Sequence, residues 1–259
     1  MNDQIKLAVI GGSGFYQPGI LTEVEETTIK TGYGLVAVLT GKLGGVKVAF
    51  LARHGHDHEA LPHQVNYRAN LAALKSMGVT RIIATAAVGS LRRALAPGSL
   101  VIVDQFLDFT KQRTLTFYEK GGPQKAHQDL TYPYCDGLRE VLQQAAALCG
   151  YQTRDRGCYV CTEGPRYETA AEIKMFQKLG GDVVGMTGVP EVVLARELGI
   201  CYASVSVVTN WAAGISPRPL SHEEVVLTME KNQERLRQLI AKALLMITAE
   251  FSCSCNRNL

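Results

Sequence analysis

The chain has 259 residues, of which 46% are hydrophobic and 20% charged, and its formal net charge is +3 at pH 7. Lysine and arginine are scattered, which argues against a nucleic-acid-binding surface, and no apolar run approaches the roughly 18 residues of a membrane span. The first residues lack the basic-then-apolar layout of a signal peptide, so we expect a cytoplasmic protein. Length and composition predict one domain over residues 1–259, with a short Cys-x-Cys tail at 252–259.

Short runs rich in β-branched residues alternate along the chain with longer amphipathic segments. Strands are predicted at Lys6–Ile10, Val46–Phe50, Arg81–Thr85, Leu100–Val103, Tyr159–Thr162, Val183–Val184 and Cys201–Val208. Helices are predicted at Val65–Met77, Gly137–Cys149, Ala170–Leu179, Pro190–Leu198 and Ser221–Ala249, the last with Ser221 as its N-cap. The alternation predicts an α/β fold, with a twisted, mixed and mainly parallel sheet flanked by helices. Functional residues are then expected at the C-terminal ends of strands.

Two parts of the sequence depart from this alternation. Between Asp104 and Pro133 the periodicity weakens, and a segment this long without regular structure is usually functional or interface-forming. The polar tail that carries Cys253 and Cys255 is predicted to be an exposed, disordered end.

The other five of the seven cysteines lie in apolar segments, where cysteine is usually a small core residue. Cys158 and Cys161 form a C-x-x-C, but their segment is a predicted strand, in which residues three apart face opposite sides. Neither a metal site nor a redox site is expected at that pair.

The sequence Gly11-Gly12-Ser13-Gly14-Phe15 directly follows the first predicted strand. Glycines at such a turn let backbone N–H groups face an anion. A dinucleotide fingerprint would need Gly or Ala at position 17, which is Gln17, and an acidic residue at the end of the next strand. A short phosphate loop that uses Ser13 fits better.

Arg53-His54 comes just after the second predicted strand, and the next ten residues add His56, His58 and His63. Clustered imidazoles could bind a metal ion. Arg53 favours an oxyanion instead, because a guanidinium repels a cation and forks onto phosphate oxygens. A solvated polar loop explains His56 and His58 equally well, so neither is a candidate site residue.

Two later strand ends carry small or aromatic residues beside polar ones. The turn around Ala86 and Ala87 lets backbone N–H groups approach a ligand. After a Gly-Pro turn, Tyr167 can stack on a planar base and Glu168 can accept a hydrogen bond from a ring N–H. A turn that caps the following helix, with Glu168 near its first turn, is the alternative interpretation.

The last two strand ends carry Met186-Thr187 and Thr209-Asn210. An unpaired buried amide is expensive, so Asn210 needs hydrogen-bond partners. The partner is either a ligand or the residue's own turn.

Taken in order, these motifs resemble the trimeric purine nucleoside phosphorylase and methylthioadenosine phosphorylase family. The resemblance runs nearly end to end. It includes Gly11–Gly14, Arg53–Gly55, Val65–Asn70, Val88–Arg92, Asp104–Phe106, Glu163–Tyr167, Met186–Thr187 and Val189–Ala195.

The resemblance implies a phosphate site, a nucleoside site and two catalytic residues, Asn210 and Glu168. The implied phosphate site comprises Ser13, Arg53, His54, His63, Ala86, Ala87 and Thr187. The implied nucleoside site comprises Tyr167, Glu168, Met186, Thr209, Asn210, Ala212 and His222. No metal or organic cofactor is implied, since inorganic phosphate is a co-substrate, and the assembly implied is a homotrimer or a dimer of trimers.

Three positions imply the substrate. Asn210 stands where methylthioadenosine phosphorylases typically have Asp, and an amide can donate to a purine O6 and accept from N7. Glu168 stands where adenine-specific members usually have Ser, and can accept from the N1–H of a 6-oxopurine. His222, in Ser-His-Glu-Glu-Val, resembles a histidine that meets the ribose 5′-hydroxyl.

The chain thus resembles an enzyme that cleaves inosine and guanosine with phosphate in purine salvage. The alternatives are a methylthioinosine or methylthioadenosine phosphorylase, a nucleoside-binding protein that has lost catalysis and an NAD-dependent oxidoreductase. The Cys-x-Cys tail also resembles that of heat-stable archaeal relatives, in which it can form a disulfide.

Overall fold

The computed structural model is built around β1 (Leu7–Gly11), whose five residues are all buried. Their side chains alternate between two hydrophobic cores, with Ala8 and Ile10 in one and Leu7 and Val9 in the other. A strand that is apolar on both faces needs cover on both faces. The structure describes residues 5–15, 19–55, 60–119, 127–216, 219–247 and 251–255, so that Gln17, His56, His58 and residues 256–259 lie outside the described part.

Ten further strands of the described residues join β1 in one sheet. They are β2 (Thr22–Thr31), β3 (Gly34–Leu43), β4 (Val46–Ala52), β5 (Arg81–Ser90), β6 (Leu100–Ile102), β7 (Gln105–Phe109), β8 (Thr153–Arg154), β9 (Cys158–Thr162), β10 (Val183–Gly185) and β11 (Cys201–Trp211). The main path is β2-β3-β4-β1-β5-β10-β9-β7, while β11 pairs with β5 and β6, and β8 with β6. Six strand pairs are parallel and four antiparallel, which confirms the mixed, mainly parallel sheet.

Five helices of the described residues flank the sheet, as predicted. They are α1 (Tyr67–Ser76), α2 (Asp136–Leu148), α3 (Ala170–Lys178), α4 (Gly188–Glu197) and α5 (His222–Met246). Helices α1 and α4 pack into the core that contains Ala8, and α2 and α5 into the core that contains Leu7. Helix α3 covers a smaller cluster with β9 and β10. In the described residues, no helix is long and apolar enough to cross a bilayer.

The hairpin of β2 and β3 and the strand β7 were not predicted. Strand β2 has the sequence TEVEETTIKT and is exposed over most of its length, so it lacks the apolar alternation of a half-buried strand. Strand β7 lies inside the segment that was predicted to be irregular, and it pairs in parallel with β9. Its sequence, QFLDF, is too short for periodicity to reveal it.

The prediction of a disordered C-terminal tail is wrong for residues 251–255. Cys255 is buried in the core that contains Leu7, and the Arg81 guanidinium lies 4.7 Å from the centre of the Phe251 ring. Burial of these side chains against the body offsets the entropy lost on ordering the segment. The predicted strand at the C-x-x-C is confirmed, with Cys161 buried and Cys158 partly exposed.

One edge of strand β5 changes its pairing partner along the strand. One of its edges pairs with β11 along the whole strand. The other edge pairs with β1 as far as Ala84 and with β10 from Gly89 onward. The backbone between these two points, which includes Ala86 and Ala87, faces the gap between β1 and β10.

Candidate active site

A cavity of about 340 Å³ lies at this gap in the sheet. Its lining comes from the residues that follow β1 and β4, from the C-terminal half of β5, and from the ends of β9, β10 and β11. The first turn of α5 completes it. The cavity thus lies at the C-terminal ends of six strands, which is where functional residues were expected.

All but one of the predicted site residues line this cavity. They are Ser13, Arg53, His54, Ala86, Ala87, Tyr167, Glu168, Met186, Thr187, Thr209, Asn210, Ala212 and His222. The exception is His63, which lines a separate cavity of about 250 Å³ with Tyr67, Arg68 and Arg113. The structure therefore does not bring His63 together with the other predicted phosphate ligands.

Gly12 allows the loop after β1 to pass directly over β5. Its backbone N–H donates to Thr85 Oγ1 at 2.9 Å. A Cβ at position 12 would lie 2.7 Å from both Arg53 Nη1 and the Thr85 carbonyl oxygen, so any side chain would displace one of them. This close approach places Ser13 at the cavity wall.

Arg53 is held by a buried ion pair. Its Nε and Nη2 donate to the two carboxylate oxygens of Glu191 at 2.6 and 2.7 Å, and its Nη1 donates to the Thr85 carbonyl oxygen at 2.8 Å. Tyr202 also donates to Glu191 Oε1, at 2.6 Å. Burial alone would lower the pKa of Arg53, but the Glu191 carboxylate raises it well above the ordinary value. The guanidinium is therefore a fixed positive charge, and two of its five N–H groups remain for a ligand.

His54 and Thr187 flank this charge on the cavity wall. His54 Nδ1 lies 2.8 Å from the Ala60 carbonyl oxygen, and because a carbonyl only accepts, this contact fixes Nδ1 as a donor. Thr187 is the N-cap of α4, and among the described residues its side chain makes no capping hydrogen bond. The backbone N–H groups of Gly188 and Val189 donate to Tyr159 Oη and Cys161 Sγ, so the Thr187 side chain, and not the start of α4, is the candidate ligand here.

Glu168 also lines the cavity and is 8% exposed. It accepts a hydrogen bond from Thr162 Oγ1 at 2.6 Å. Burial raises the pKa of the Glu168 carboxyl, and the Thr162 hydrogen bond opposes this only in part. The helix-capping role belongs to Thr169, which forms a capping box with Glu172, so Glu168 is not needed as a cap.

A β-bulge in β11 positions Asn210. The pairing of β11 with β5 shifts by one residue between Val208 and Asn210, which leaves Thr209 as the extra residue. Asn210 Nδ2 donates to the Trp211 carbonyl oxygen at 3.0 Å, and Asn210 Oδ1 accepts from Thr209 Oγ1 at 2.8 Å. The predicted bond to its own turn is thus present, and it uses one of two amide hydrogens and one of two oxygen lone pairs.

His222 and Tyr167, which both line the cavity, lie close to each other. The Tyr167 hydroxyl lies 3.5 Å from His222 Nδ1. Ser221 Oγ accepts from the Glu224 N–H at 3.1 Å, which confirms the predicted N-cap of α5. His222 is therefore the first residue of that helix, and the start of the helix places it at the cavity.

Two buried charged residues, Glu191 and Arg113, were not predicted as part of this region. The Arg113 side chain is 2% exposed, and it donates to the carbonyl oxygens of Val189 and Glu163, each at 2.7 Å. It thereby ties the segment after β7 to the end of β9 and to the start of α4. Arg113 lies in sequence without periodicity, which gave no signal, whereas Glu191 was visible as an acidic residue among the apolar residues that begin a predicted helix.

Comparison with known proteins gives consistent matches. The model of the phosphorylase superfamily matches residues 6–245. The chain is 52% identical over 252 residues, 97% of each chain, to the "Probable 6-oxopurine nucleoside phosphorylase" of Moorella thermoacetica. It is 51% identical over 255 residues, 96% of each chain, to the "6-oxopurine nucleoside phosphorylase" of Pyrococcus furiosus. A solved methylthioadenosine phosphorylase from Schistosoma mansoni, in complex with adenine, matches with a TM-score of 0.90 at 34% identity, covering 95% of this chain and 93% of that chain.

The buried ion pair generates a prediction about stability. Glu191→Gln leaves the Arg53 guanidinium buried without its counter-charge, and we expect a loss of about 3–5 kcal/mol in the free energy of unfolding. Tyr202→Phe is the matched control, since it removes one hydrogen bond to Glu191 and keeps the pair, at a loss of about 1–3 kcal/mol. Urea unfolding of both variants measures the difference. A loss for Glu191→Gln no larger than that for Tyr202→Phe contradicts this role of the pair.

Proposed function

Because the chain belongs to the phosphorylase superfamily, we propose that it is a purine nucleoside phosphorylase specific for 6-oxopurine nucleosides. It uses inorganic phosphate to convert inosine or guanosine to the free base and ribose 1-phosphate. The observation that carries this proposal is the presence of Asn210 and Glu168 in the same cavity as a fixed Arg53 charge. Relatives that are named 6-oxopurine nucleoside phosphorylases at 51% and 52% identity support it.

The phosphate binds at the end of the cavity near Arg53. Two guanidinium N–H groups remain after its bonds to Glu191 and Thr85, and they suit the paired oxygens of a phosphate. Ser13, the backbone at Ala86 and Ala87, His54 and Thr187 complete this end. The residues form an anion site without any metal ion, and no organic cofactor enters the reaction.

The purine binds at the end near Asn210 and Glu168, with Tyr167 against it. The amide hydrogen of Asn210 that is left after its bond to Trp211 donates to O6, and the remaining lone pair accepts from a protonated N7. Glu168 accepts from N1–H. Adenine has an amino group in place of O6 and no hydrogen at N1. It therefore cannot accept the bond from Asn210 at that position or donate the bond to Glu168.

The reaction is phosphorolysis of positioned substrates. Phosphate attacks C1′ while the bond from C1′ to N9 breaks, and the ribosyl ring passes through an oxocarbenium-like transition state. The bonding electron pair leaves with the purine, which takes up a proton at N7 from solvent while the phosphate releases one to solvent. The Asn210 donor stabilises the negative charge that builds up on the purine in the transition state. Met186 packs on the ribose, and His222 contacts the 5′-hydroxyl. Rate enhancement comes from orientation and from these fixed hydrogen bonds.

A methylthioinosine or methylthioadenosine phosphorylase is the second candidate. The structural match to a methylthioadenosine phosphorylase favours it. The choice between the candidates depends on the purine side, through Asn210 and Glu168, and on the 5′ side, through His222.

We also propose a homotrimer or a dimer of trimers in the cytoplasm. The assembly is supported by exposed apolar side chains, among them Leu35 (70% exposed) and Tyr132 (76% exposed), which a neighbouring subunit would cover. Sedimentation equilibrium distinguishes three chains per particle from six, and a monomer overturns this part of the proposal.

Phosphate-dependent release of base from five nucleosides tests the proposed function. The substrates are inosine, guanosine, adenosine, methylthioinosine and methylthioadenosine, compared by kcat/KM. We expect preference for inosine and guanosine and no turnover without phosphate. Preference for a methylthio substrate supports the second candidate. Binding without turnover indicates a nucleoside-binding protein, and binding of nicotinamide dinucleotides indicates an oxidoreductase.

Asn210→Asp changes the purine that the site prefers. A carboxylate at position 210 places one acceptor against another at O6, but it accepts a hydrogen bond well from a 6-amino group. The ratio of kcat/KM for inosine to kcat/KM for adenosine is therefore expected to fall at least about tenfold. Asn210→Ala is the control, and it should lower both values without favouring adenosine. Retained inosine preference in Asn210→Asp, with no gain on adenosine, counts against the role given to Asn210.

Glu168 gives the reaction a dependence on pH. Its carboxylate form makes the stronger bond to N1–H, and burial raises the pKa of Glu168, so kcat/KM for inosine falls as pH falls through that raised value. Gln at this position accepts the same bond but does not titrate. The ratio of wild-type to Glu168→Gln activity should therefore approach unity at low pH and rise to about tenfold at high pH. This ratio cancels the titration of phosphate itself, and a ratio that is independent of pH sinks the assignment.

His222→Leu tests the sugar side of the site. Loss of the hydrogen bond to the 5′-hydroxyl should lower kcat/KM for inosine about tenfold. The value for methylthioinosine should stay level or rise, because its methylthio group packs against an apolar side chain. Glu223→Gln, at the exposed next position, is the matched control and should change neither value. Equal losses of His222→Leu on both substrates would show that His222 does not select the 5′ group.

A further inference from the structure

A threonine to which the proposed mechanism gives no role contacts Glu168 directly. Thr162 is the last residue of β9 and is partly buried. Its hydroxyl lies 2.6 Å from Glu168 Oε1 and 3.4 Å from the Gly185 carbonyl oxygen. Because a threonine hydroxyl has a single hydrogen, the shorter contact takes it. Thr162 therefore donates to the carboxylate that faces the purine end of the cavity.

The backbone that carries this hydroxyl is fixed by the sheet. Thr162 is in register with Phe109 of β7, and the preceding residue, Cys161, is in register with Gly185 of β10. Glu168 comes six residues later, in the loop between β9 and α3. A carboxyl group on a loop can rotate unless a hydrogen bond holds it. The Thr162 hydroxyl thus ties a loop side chain to a strand with neighbours on both sides.

The charges on the protein side of Glu168 largely oppose each other. Arg166 Nη1 and Nη2 donate to the two carboxylate oxygens of Glu172 at 2.9 and 2.7 Å, so the two charges lie together. Burial raises the pKa of Glu168, and the Thr162 hydrogen bond is the largest contribution that lowers it. Glu172 raises this pKa and Arg166 lowers it. The hydroxyl, rather than a neighbouring cation, is therefore the main support of the carboxylate form.

Other titratable and charged side chains share the cavity wall with Glu168. They are Arg53, His54, Tyr167 and His222. Arg53 is paired with Glu191, which balances its charge. Burial raises the pKa of Tyr167, and the carboxylates of Glu168 and Glu224 raise it further, so that Tyr167 stays neutral. This leaves the two histidines as the groups of the wall whose charge changes in the same pH range as that of Glu168.

We propose that Thr162 is a positioning residue for the base: its hydroxyl orients the Glu168 carboxylate and keeps it an acceptor for N1–H. This inference rests on the proposed function, because it assigns Thr162 a part in the recognition of a 6-oxopurine. Thr162 does so without contacting the base, and its hydroxyl keeps its proton throughout. Position 162 therefore helps to select the base through Glu168.

The pH profile of Thr162→Val tests this inference. Valine keeps the shape of threonine and lacks the hydroxyl. At each pH, kcat/KM for inosine is divided by the value for the same chain with Glu168→Gln, which cancels the titration of phosphate and of the two histidines. In the wild-type chain the ratio rises as Glu168 ionises. Loss of a hydrogen bond to the charged form should move this rise about one pH unit higher in Thr162→Val.

Two further substitutions at position 162 separate the hydroxyl from the packing of the side chain. Thr162→Ser keeps the hydroxyl and should return the rise to the wild-type pH. Thr162→Ala lacks the hydroxyl and should move the rise as far as Thr162→Val does. Thr153→Val is the matched control, since it removes a 2.7 Å hydrogen bond to Asp155 on the short strand β8 and should leave the rise unchanged. Thermal unfolding of each variant shows that it is folded.

The outcomes separate this inference from the proposed function. If the ratio rises at the wild-type pH in Thr162→Val and Thr162→Ala, the inference is wrong and the role of Glu168 stands. If Thr162→Ser moves the rise as far as they do, the hydroxyl is not the cause and the inference is wrong as well. A ratio that does not change with pH in the wild-type chain removes the role of Glu168 and overturns both.

Discussion

The ion pair between Arg53 and Glu191 is the constraint on which the site depends. One guanidinium connects the end of β4, the helix α4 and, through Thr85, strand β5, while Tyr202 adds β11 through Glu191. Desolvation offsets most of the attraction in a buried ion pair, so the pair contributes little net stability compared with apolar residues of the same size. Its consequence is positional. A charge that could otherwise move with a flexible side chain is fixed at the wall of the cavity.

The gap beside β5, between its pairing with β1 and its pairing with β10, forms the cavity that the Arg53 charge faces. If β1 had paired with β5 along its full length, the backbone at Ala86 and Ala87 would be occupied by sheet hydrogen bonds. Because β1 pairs only to Ala84 and β10 only from Gly89, the intervening backbone faces the cavity. The small side chains there keep the space open. The bulge in β11 is the matching irregularity on the other side of β5, and it aims Asn210 at the same space.

The sequence predicted the buried centre of this fold well and its periphery poorly. Runs such as Leu7–Gly11 are apolar on both faces, and only a covered strand satisfies that pattern. The exposed strand β2 and the short strand β7 are specified by their pairing with neighbours, which a local pattern does not contain. The same holds for the residues of the candidate site, in which strand ends were predicted better than loops. Residues at strand ends, including Glu168 and Asn210, were predicted, but the separation of His63 from them depends on how the loop after β4 folds back.

The two ends of the cavity differ in how freely they can change. The end near Arg53 is made of backbone and of the buried ion pair between Arg53 and Glu191, in which each charge needs the other. At the adjacent Gly12, no side chain fits. The opposite end is made of single side chains at strand ends, and each of them keeps hydrogen-bonding positions that the protein does not use. A substitution at Asn210 or Glu168 therefore changes the lining of the cavity without breaking the strand pairing of the sheet. This chain shares its fold, at a TM-score of 0.90, with a solved methylthioadenosine phosphorylase to which it is only 34% identical. The end near Arg53 is constrained by the pairing of the sheet and by its buried ion pair, whereas the end near Asn210 and Glu168 is constrained by single side chains.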